Sequence, residues 1–238
     1  MSPSTEQEAE PLPEKIAERK IIIYKALDPT VIKIASEKVK DTLFMKYGFL
    51  KPSPDQIQQV SFEKDYDAFV VVEGKYSIDY YRTGVHTFKV DEKVREFILL
   101  KKTYKPQNSA ENNCNSIRIE GEERLIYQSK AYLALSADGK EISPKIIPSG
   151  PSEEQKPELL AEIQSTKKLG ILPDEEINII RNKIVKRPSG IKRVASELFE
   201  VSDRAVIYAP IYRVKFQNLK TGEMKTVKFD GVTAELLP

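Results

Sequence analysis

The chain has 238 residues, and its formal net charge is only +2 although 31% of its residues are charged. A chain of this length can form one large or two small domains, each with its own core, and so balanced a charge gives no overall polyelectrolyte signal for nucleic acid. The single cysteine, Cys114, excludes an intramolecular disulfide and a cysteine cluster that binds metal.

Residues 1–18 are rich in proline and glutamate, which predicts a disordered acidic leader. The leader has neither the basic start nor the apolar centre of a secretory signal. No stretch of the chain approaches 18 continuous apolar residues, the length that predicts a membrane span. We therefore expect a soluble cytoplasmic protein with no membrane partner. The frequent lysine, glutamate and isoleucine resemble the composition of thermophile proteins.

Residues 19–143 are predicted to form an N-terminal α+β domain. Residues 21–24 read as a short apolar strand, and Asp28 followed by Pro29 predicts a helix N-cap and first turn. The apolar positions that follow fall on one helical face: Ile32, Ala35, Val39 and Leu43. A second, short helix is predicted at residues 53–60.

After the second helix, the alternation of apolar and polar residues predicts a series of strands. The predicted strands are residues 68–72, 75–82, 85–91, 95–103, 117–120 and 124–135. Gly74 and Gly84 are interpreted as turns between strands, and Asp138-Gly139 as the turn after the last one.

Residues 144–157 are rich in proline and predict a linker between domains. Two short helical patterns follow at residues 158–168 and 174–186, and Gly170 suits a helix C′ position between them. Residues 158–238 are predicted to combine this helical hairpin with a C-terminal α+β hairpin unit.

Residues 158–185 resemble the short C-terminal helical hairpin of the SHOCT family. The matching positions are Leu159, Leu160, Ile163, Gly170, Ile171, Asp174, Glu175, Glu176 and Ile180. The family usually has an aromatic residue after the acidic pair, where this chain has Ile177 and Asn178. The resemblance implies a small interaction or oligomerisation element, and the alternative is an ordinary helical hairpin packed on the sheet.

The last part of the chain predicts its clearest hairpin. Residues 191–198 have apolar side chains at helical spacing and predict a short amphipathic helix. Residues 212–216 and 227–229 then alternate apolar and polar side chains around a polar turn at residues 218–223. This segment resembles the strand repeats of PepSY-like modules, which often end in a turn such as Asp230-Gly231.

The pattern of the closing hairpin recurs at residues 76–91, where Thr83-Gly84 stands as Thr221-Gly222 does, and more weakly at residues 124–135. This recurrence predicts an internal repeat, and the alternative is that tyrosine-rich hairpins look alike by chance. The predicted fold class is α+β, built from repeated helix-plus-antiparallel-hairpin units with a small helical hairpin insertion.

The sequence lacks the residue patterns of the common enzyme classes. His86 is the only histidine, so a histidine-based metal site or a Ser-His-Asp triad has one candidate at most. No nucleophile elbow and no glycine-rich phosphate loop is present. Asp91 and Asp230 could be proposed as a glycosidase-like acid pair, but turn capping is the preferred interpretation. We predict no enzyme activity, no catalytic or metal-binding residue and no cofactor.

One segment is locally basic. Its cations, the candidate contacts for nucleic acid, are Arg181, Lys183, Lys186, Arg187, Lys192 and Arg193. Such cations can bind phosphates, and the alternative is a solvated basic surface. The favoured function is a non-enzymatic module for protein interaction or assembly, through sheet edges that pair with a partner or with a second copy. Nucleic-acid binding through residues 181–193 is the alternative.

Overall fold

A computed structural model describes residues 12–45, 52–109, 114–154 and 156–237. Its helices are α1 (Pro29–Leu43), α2 (Pro157–Thr166) and α3 (Pro173–Ile184). Its strands are β1 (Glu14–Ile16), β2 (Lys20–Ile23), β3 (Ile57–Lys89), β4 (Phe97–Leu99), β5 (Lys102–Tyr104), β6 (Gln107–Ser109), β7 (Cys114–Ser136), β8 (Glu141–Ile142), β9 (Ile191–Asn218), β10 (Met224–Asp230) and β11 (Leu236–Leu237). The mixture of helices and strands confirms the α+β class.

Most strands belong to one sheet, in which the order of neighbours is β11-β10-β9-β3-β7-β6. Strands β1 and β2 also pair with β9, and β8 pairs with β7. Strands β4 and β5 form a separate two-stranded hairpin. Strand β2 runs parallel to β9, whereas β10 runs antiparallel to it.

The chain divides into two compact units, each made of three separated segments. The described residues of the first unit fall within Met1–Lys15, Lys75–Lys130 and Ile184–Glu200. Those of the second unit fall within Ile16–Gly74, Ala131–Lys183 and Val201–Pro238. These segments alternate along the chain, whereas the sequence predicted consecutive domains at residues 19–143 and 158–238 with a linker at 144–157.

The core of the second unit lies between helix α1 and the hairpin of β9 and β10. Asp28 caps α1 by accepting a hydrogen bond of 2.7 Å from the Thr30 N–H, as predicted. The predicted apolar face of the helix packs on buried aromatic residues of the hairpin. The buried members of this cluster are Ile32, Phe44, Ile57, Tyr212, Val214, Phe216 and Phe229. The helix and the hairpin are thus two sequence predictions that the structure confirms.

The first predicted hairpin, at residues 76–91, is absent. Residues 76–89 are one uninterrupted part of β3, so Gly84 is not a turn. A Cβ atom at Gly84 would lie within 2.5 Å of the Glu123 side chain on the neighbouring strand β7. The glycine therefore makes room for a cross-strand carboxylate rather than reversing the chain. The repeated hairpin unit is not seen in the structure.

Two predicted helices are also wrong. Residues 191–198 are part of strand β9, although their apolar spacing suits a helix. Pairing of β9 with strands that are distant in sequence overrides that local pattern. Just beyond these residues, the Phe199 N–H donates to the carbonyl of Pro13, the residue before β1, over 3.0 Å. Residues 53–60 contain only one turn of 3₁₀ helix, Pro54–Gln56, before β3 begins.

The predicted leader is ordered in its last residues. Pro13 accepts the Phe199 N–H, Glu14–Ile16 is a strand, and the Ala17 N–H donates to the Val201 carbonyl over 3.0 Å. Residues 1–11 lie outside the described residues, so the disorder predicted there stays a prediction.

Candidate interaction surfaces

An apolar groove lies beside helix α1 in the second unit. It has a volume of about 390 Å³ and is bounded by the helix on one side and by β10 and β11 on the other. Its lining residues are Val31, Ile34, Ala35, Lys38, Val39, Phe229, Ala234 and Leu236. Ile34 is 56% exposed and Leu236 is 49% exposed. Large aliphatic side chains remain in water here although the neighbouring face of the same helix is buried. We call this feature the α1 groove.

Strand β11 is an edge of the sheet, because among the described strands it pairs only with β10. The Asp230 N–H donates to the Glu235 carbonyl over 2.8 Å, and Phe229 lies opposite Leu236 in the next pair. Hydrogen-bonded and non-bonded pairs alternate in an antiparallel ladder. Leu236 is therefore in a non-bonded pair, and its N–H and C=O point away from β10 towards the open edge.

The two residues of β11 face two different depressions. Leu236 and Phe229 line the α1 groove, whereas Leu237 and Lys228 line a second cavity of about 190 Å³. The other residues of that cavity are Asp67, Phe69, Ile146, Pro148, Ala209, Pro210, Ile211 and Asp230. Successive side chains of a strand point to opposite faces of the sheet. The open edge thus has an apolar depression on each of its two faces.

Pro210 marks the place where β9 changes partner. Residues 205–208 pair with β2, and residues 211–217 pair with β10. The Pro210 carbonyl accepts the Gly231 N–H over 2.8 Å, so the missing N–H of the proline faces the same edge. It falls at the junction between the two partners, and the Gly231 carbonyl that this N–H would face accepts the Leu27 N–H over 2.7 Å instead. That position explains how a proline is accommodated within a long strand.

A buried carboxylate holds two arginines in the second unit. Glu176 of α3 is fully buried, with Arg19 Nη2 at 2.9 Å and Arg204 Nη1 at 3.2 Å from its oxygens. Arg204 also donates to the Ala17 carbonyl over 2.7 Å. Burial raises the pKa of the Glu176 carboxyl against the lowering effect of the two guanidiniums. The cluster ties the segment after β1, helix α3 and strand β9 together.

A second cluster, around the buried carboxylate of Glu197, lies in the first unit. Glu197 accepts hydrogen bonds from the Tyr76 hydroxyl over 2.6 Å and from Arg187 over 2.8 Å. Burial raises the pKa of the Tyr76 phenol, and the adjacent carboxylate raises it further. Burial also opposes ionisation of Glu197, but the hydrogen bonds from Arg187 and Tyr76 outweigh it and lower the pKa of that carboxyl. All three groups are engaged with one another, which is typical of a structural cluster.

The cations of the predicted basic segment are divided between the two units and mostly paired. Lys183 lies 2.5 Å from Glu141, and Arg181 donates to the Asn178 side chain over 2.6 Å. Arg187 pairs with the buried Glu197 carboxylate described above, although its own side chain is 51% exposed.

The remaining cations of the segment lie on β9 or just before it. Arg193 lies 3.3 Å from Glu122 and stacks on the Tyr81 ring at 3.4 Å, and Lys192 lies 4.0 Å from the same carboxylate. Lys186 is exposed. The acidic partners reduce the positive potential that a nucleic-acid backbone would meet.

The other candidate residues have structural contacts. His86 lies on β3 with Nε2 2.7 Å from Glu123, and its ring stacks on Phe88. Asp91 accepts the Lys93 N–H over 2.8 Å, and Asp230 accepts the Val232 N–H over 2.7 Å. Asp91 belongs to the first unit and Asp230 to the second. Both carboxylates cap turns, which was the preferred interpretation.

The hairpin of β4 and β5 was missed as a candidate site, since residues 95–103 were interpreted as a single strand. Phe97, Ile98, Leu99 and Leu100 follow one another and are all exposed, Leu100 to 89%. Leu100 and Lys101 form the two-residue loop, and both have positive φ, 46° and 65°. For each of these two residues, the left-handed backbone conformation is less favourable by about 1–2 kcal/mol than one with negative φ. The sequence signal for this exposed hairpin was a run of four apolar residues followed by two lysines.

Among the described residues, no group of three or more histidine, cysteine, aspartate or glutamate side chains could hold a metal ion. No described helix has both the length and the apolar character needed to cross a bilayer.

Comparisons with known proteins give no relative from which a role could be transferred. No family model matches the chain, and no curated protein or solved structure matches it significantly. The resemblances to SHOCT and PepSY-like segments therefore stay predictions, and the functional argument depends on the surfaces alone.

Proposed function

We propose that the chain is a non-enzymatic protein-interaction module, which binds an extended segment of a partner polypeptide along strand β11. The observation that carries the proposal is the outward orientation of the Leu236 N–H and C=O between two apolar depressions. An added strand would hydrogen-bond to this backbone, and its alternate side chains would enter the two depressions. Backbone pairing would supply affinity, and the depressions would supply sequence preference.

The residues of the α1 groove favour a partner segment with alternating apolar residues and one acidic residue. Val31, Ile34 and Leu236 provide aliphatic contact, and burying one such side chain contributes about 1.5–3 kcal/mol. Lys38 lies at the groove and makes no ion pair among the described residues. It is therefore available to a carboxylate of the partner.

The SHOCT-like helical hairpin is a weaker candidate for docking than β11. Its apolar side chains Ile163, Ile171, Ile177 and Ile180 are buried within the second unit. A helix that has already buried its apolar stripe has less left for a partner. The interpretation of this segment as an ordinary packed hairpin is thus the better supported one.

The ion pairs of the basic segment argue against nucleic-acid binding as the main function. Phosphate contacts at Arg187 or Arg193 would have to displace Glu197 or Glu122. Displacing the buried Glu197 would also leave the Tyr76 hydroxyl without its acceptor. No comparable cost applies to a peptide that adds to β11.

A selected peptide provides the test. Peptides enriched from a random display library should have apolar residues at every second position, and their binding should slow hydrogen exchange at the Leu236 amide. Replacement of Leu236 by proline removes the outward N–H while leaving the β10 pairing intact. Leu236→Pro and Ile34→Glu should each weaken peptide binding by about tenfold or more, measured by calorimetry.

The control for this test is Ile126→Glu, which changes an exposed isoleucine of the first unit. It should leave peptide affinity unchanged. Peptides that bind equally well to the Leu236→Pro protein would show that β11 is not the docking edge. A wild-type elution volume that falls as concentration rises would indicate instead that the edge pairs with a second copy of the chain.

A further inference from the structure

The hairpin of β4 and β5 has an apolar tip with cations around it. Ile98 is 67% exposed and Leu100 is 89% exposed. The flanking residues 93–105 contain five cations and one carboxylate: Lys93, Arg95, Lys101, Lys102, Lys105 and Glu96. None of these cations forms an ion pair with another described residue. They differ in this respect from most cations of residues 181–193, which have acidic or polar partners.

The loop has a leucine at a position whose positive φ is unfavourable for that residue. A two-residue loop with positive φ at both positions is best made by Asn-Gly. Leu100 and Lys101 occupy it instead, and a two-stranded hairpin alone is only marginally stable. Because Leu100 is 89% exposed, it buries little apolar surface that could offset this strain. Such an arrangement points to a contact made by the side chain itself.

We propose that this hairpin docks on the surface of a bilayer that contains anionic lipids, with Leu100 and Ile98 among the acyl chains. A convex apolar tip fits a bilayer, which adapts to it, whereas a protein partner would need a shaped pocket. The unpaired cations complement anionic headgroups. Nucleic acid fits less well, because its phosphate backbone offers no apolar surface to the four exposed apolar side chains of residues 97–100.

The dimensions of the hairpin agree with interfacial insertion. Each strand has three residues, about 10 Å at the usual rise per residue. Amphipathic elements bury their apolar side to a depth of about 5–10 Å in the headgroup region. Tyr104 is half-buried at the base of the hairpin, where an aromatic residue with a polar tip suits the interface. This contact is peripheral, so it needs no spanning segment, but it departs from the expectation that the protein has no membrane partner.

The absence of tryptophan from the chain permits a direct test. The substitution Leu100→Trp introduces the sole indole. Mixed phosphatidylcholine and phosphatidylserine vesicles should shift its fluorescence to the blue, and brominated acyl chains should quench it. Phosphatidylcholine vesicles alone should give a smaller shift, and added salt should reduce it, because the headgroup attraction is screened.

Leu172→Trp is the matched control, since Leu172 is also exposed, to 64%, but lies just before helix α3. Its fluorescence should not respond to vesicles. An equal shift in this variant would mean general adsorption and would overturn the proposal. So would the absence of a shift in the Leu100→Trp protein with anionic vesicles at low salt.

Sedimentation with vesicles tests the native side chain. Asparagine tolerates positive φ better than leucine, so Leu100→Asn should retain the hairpin. It should lower vesicle binding by about tenfold or more, as expected for the loss of one buried leucine. The matched substitution Leu172→Asn, at a helix N-cap position that accepts asparagine, should bind as the wild type does. Equal binding by the Leu100→Asn and wild-type proteins would exclude the tip as the contact.

Discussion

At the scale of single residues, the most constrained groups are buried charges that have found partners. The Glu197 side chain is 6% exposed, and it would be costly to bury without hydrogen bonds. Tyr76 and Arg187 supply these bonds from β3 and from the segment that precedes β9. The result is a carboxylate that stabilises the fold more when it is ionised than when it is protonated.

This carboxylate predicts a specific acid sensitivity. Its pKa is lowered from the ordinary value of 4.5, so the stability it contributes is present at neutral pH. That contribution is lost as pH falls through 4.5 towards the lower pKa of the folded state. Glu197→Gln should lower the free energy of unfolding by about 1–2 kcal/mol at neutral pH and should flatten its decline between about pH 5 and pH 3.

Urea unfolding at a series of pH values measures this effect. Glu154→Gln is the control, because Glu154 is exposed and forms no ion pair with another described residue. The control should follow the wild-type pH profile. A Glu197→Gln protein with an unchanged slope would show that the carboxylate titrates normally in the folded state.

At the scale of elements, the backbones of two strands approach closely where β10 ends beside β9. A Cβ atom at Gly231 would lie 2.6 Å from the Pro210 carbonyl oxygen, and the same two residues share a hydrogen bond of 2.8 Å. Backbone cannot move aside as a flexible side chain can. The glycine therefore permits the junction at which the partner of β9 changes from β2 to β10.

Replacement of Gly231 by alanine should destabilise the protein by about 2 kcal/mol or more, since strands must separate to accept the methyl group. Gly121→Ala is the matched control. Nothing lies within 4 Å of a Cβ atom there, so its effect should be near zero or slightly stabilising. Thermal unfolding monitored by circular dichroism compares the two. Equal melting temperatures for both variants would refute the steric explanation.

At the scale of the whole molecule, the two units are assembled from segments that alternate along the chain. Such units depend on pairing between positions far apart in sequence. The N-terminal segment is one example, because Pro13 and Ala17 bond to β9 and Arg19 reaches Glu176. The part of the leader that the structure describes is thus integral to the fold.

Two deletions separate the predicted disordered leader from the docked segment. Removal of residues 1–11 should leave the melting temperature unchanged, because that composition cannot form a core. Removal of residues 1–18 should lower it by several degrees, since the strand Glu14–Ile16 and the Arg204 bond to the Ala17 carbonyl are lost. Scanning calorimetry measures the melting temperatures of the two truncated proteins. Identical melting temperatures for both truncated proteins would mean that the docked segment contributes no stability.

The elements that the sequence predicted correctly are those specified by neighbouring residues. Helix α1 begins at a proline that follows a capping aspartate, and its apolar face repeats at helical spacing. The closing hairpin combines strict alternation with a turn in which Gly222 has a φ of 73°. Local backbone preferences and side-chain period are sufficient for both, so no distant contact was needed to predict them.

Tertiary structure alone decided the features in which distant strands set the local conformation. Gly84 continues β3, and the Glu123 side chain of β7 fills the space where a Cβ atom of residue 84 would lie. Residues 191–198 are a strand because other strands pair with β9. The same holds for the proposed sites. Leu236 becomes an open edge only through its register with β10, and the apolar run at 97–100 is a site only because the fold leaves it in water. Burial and edge position depend on the partners that surround a segment, and a sequence pattern does not specify those partners.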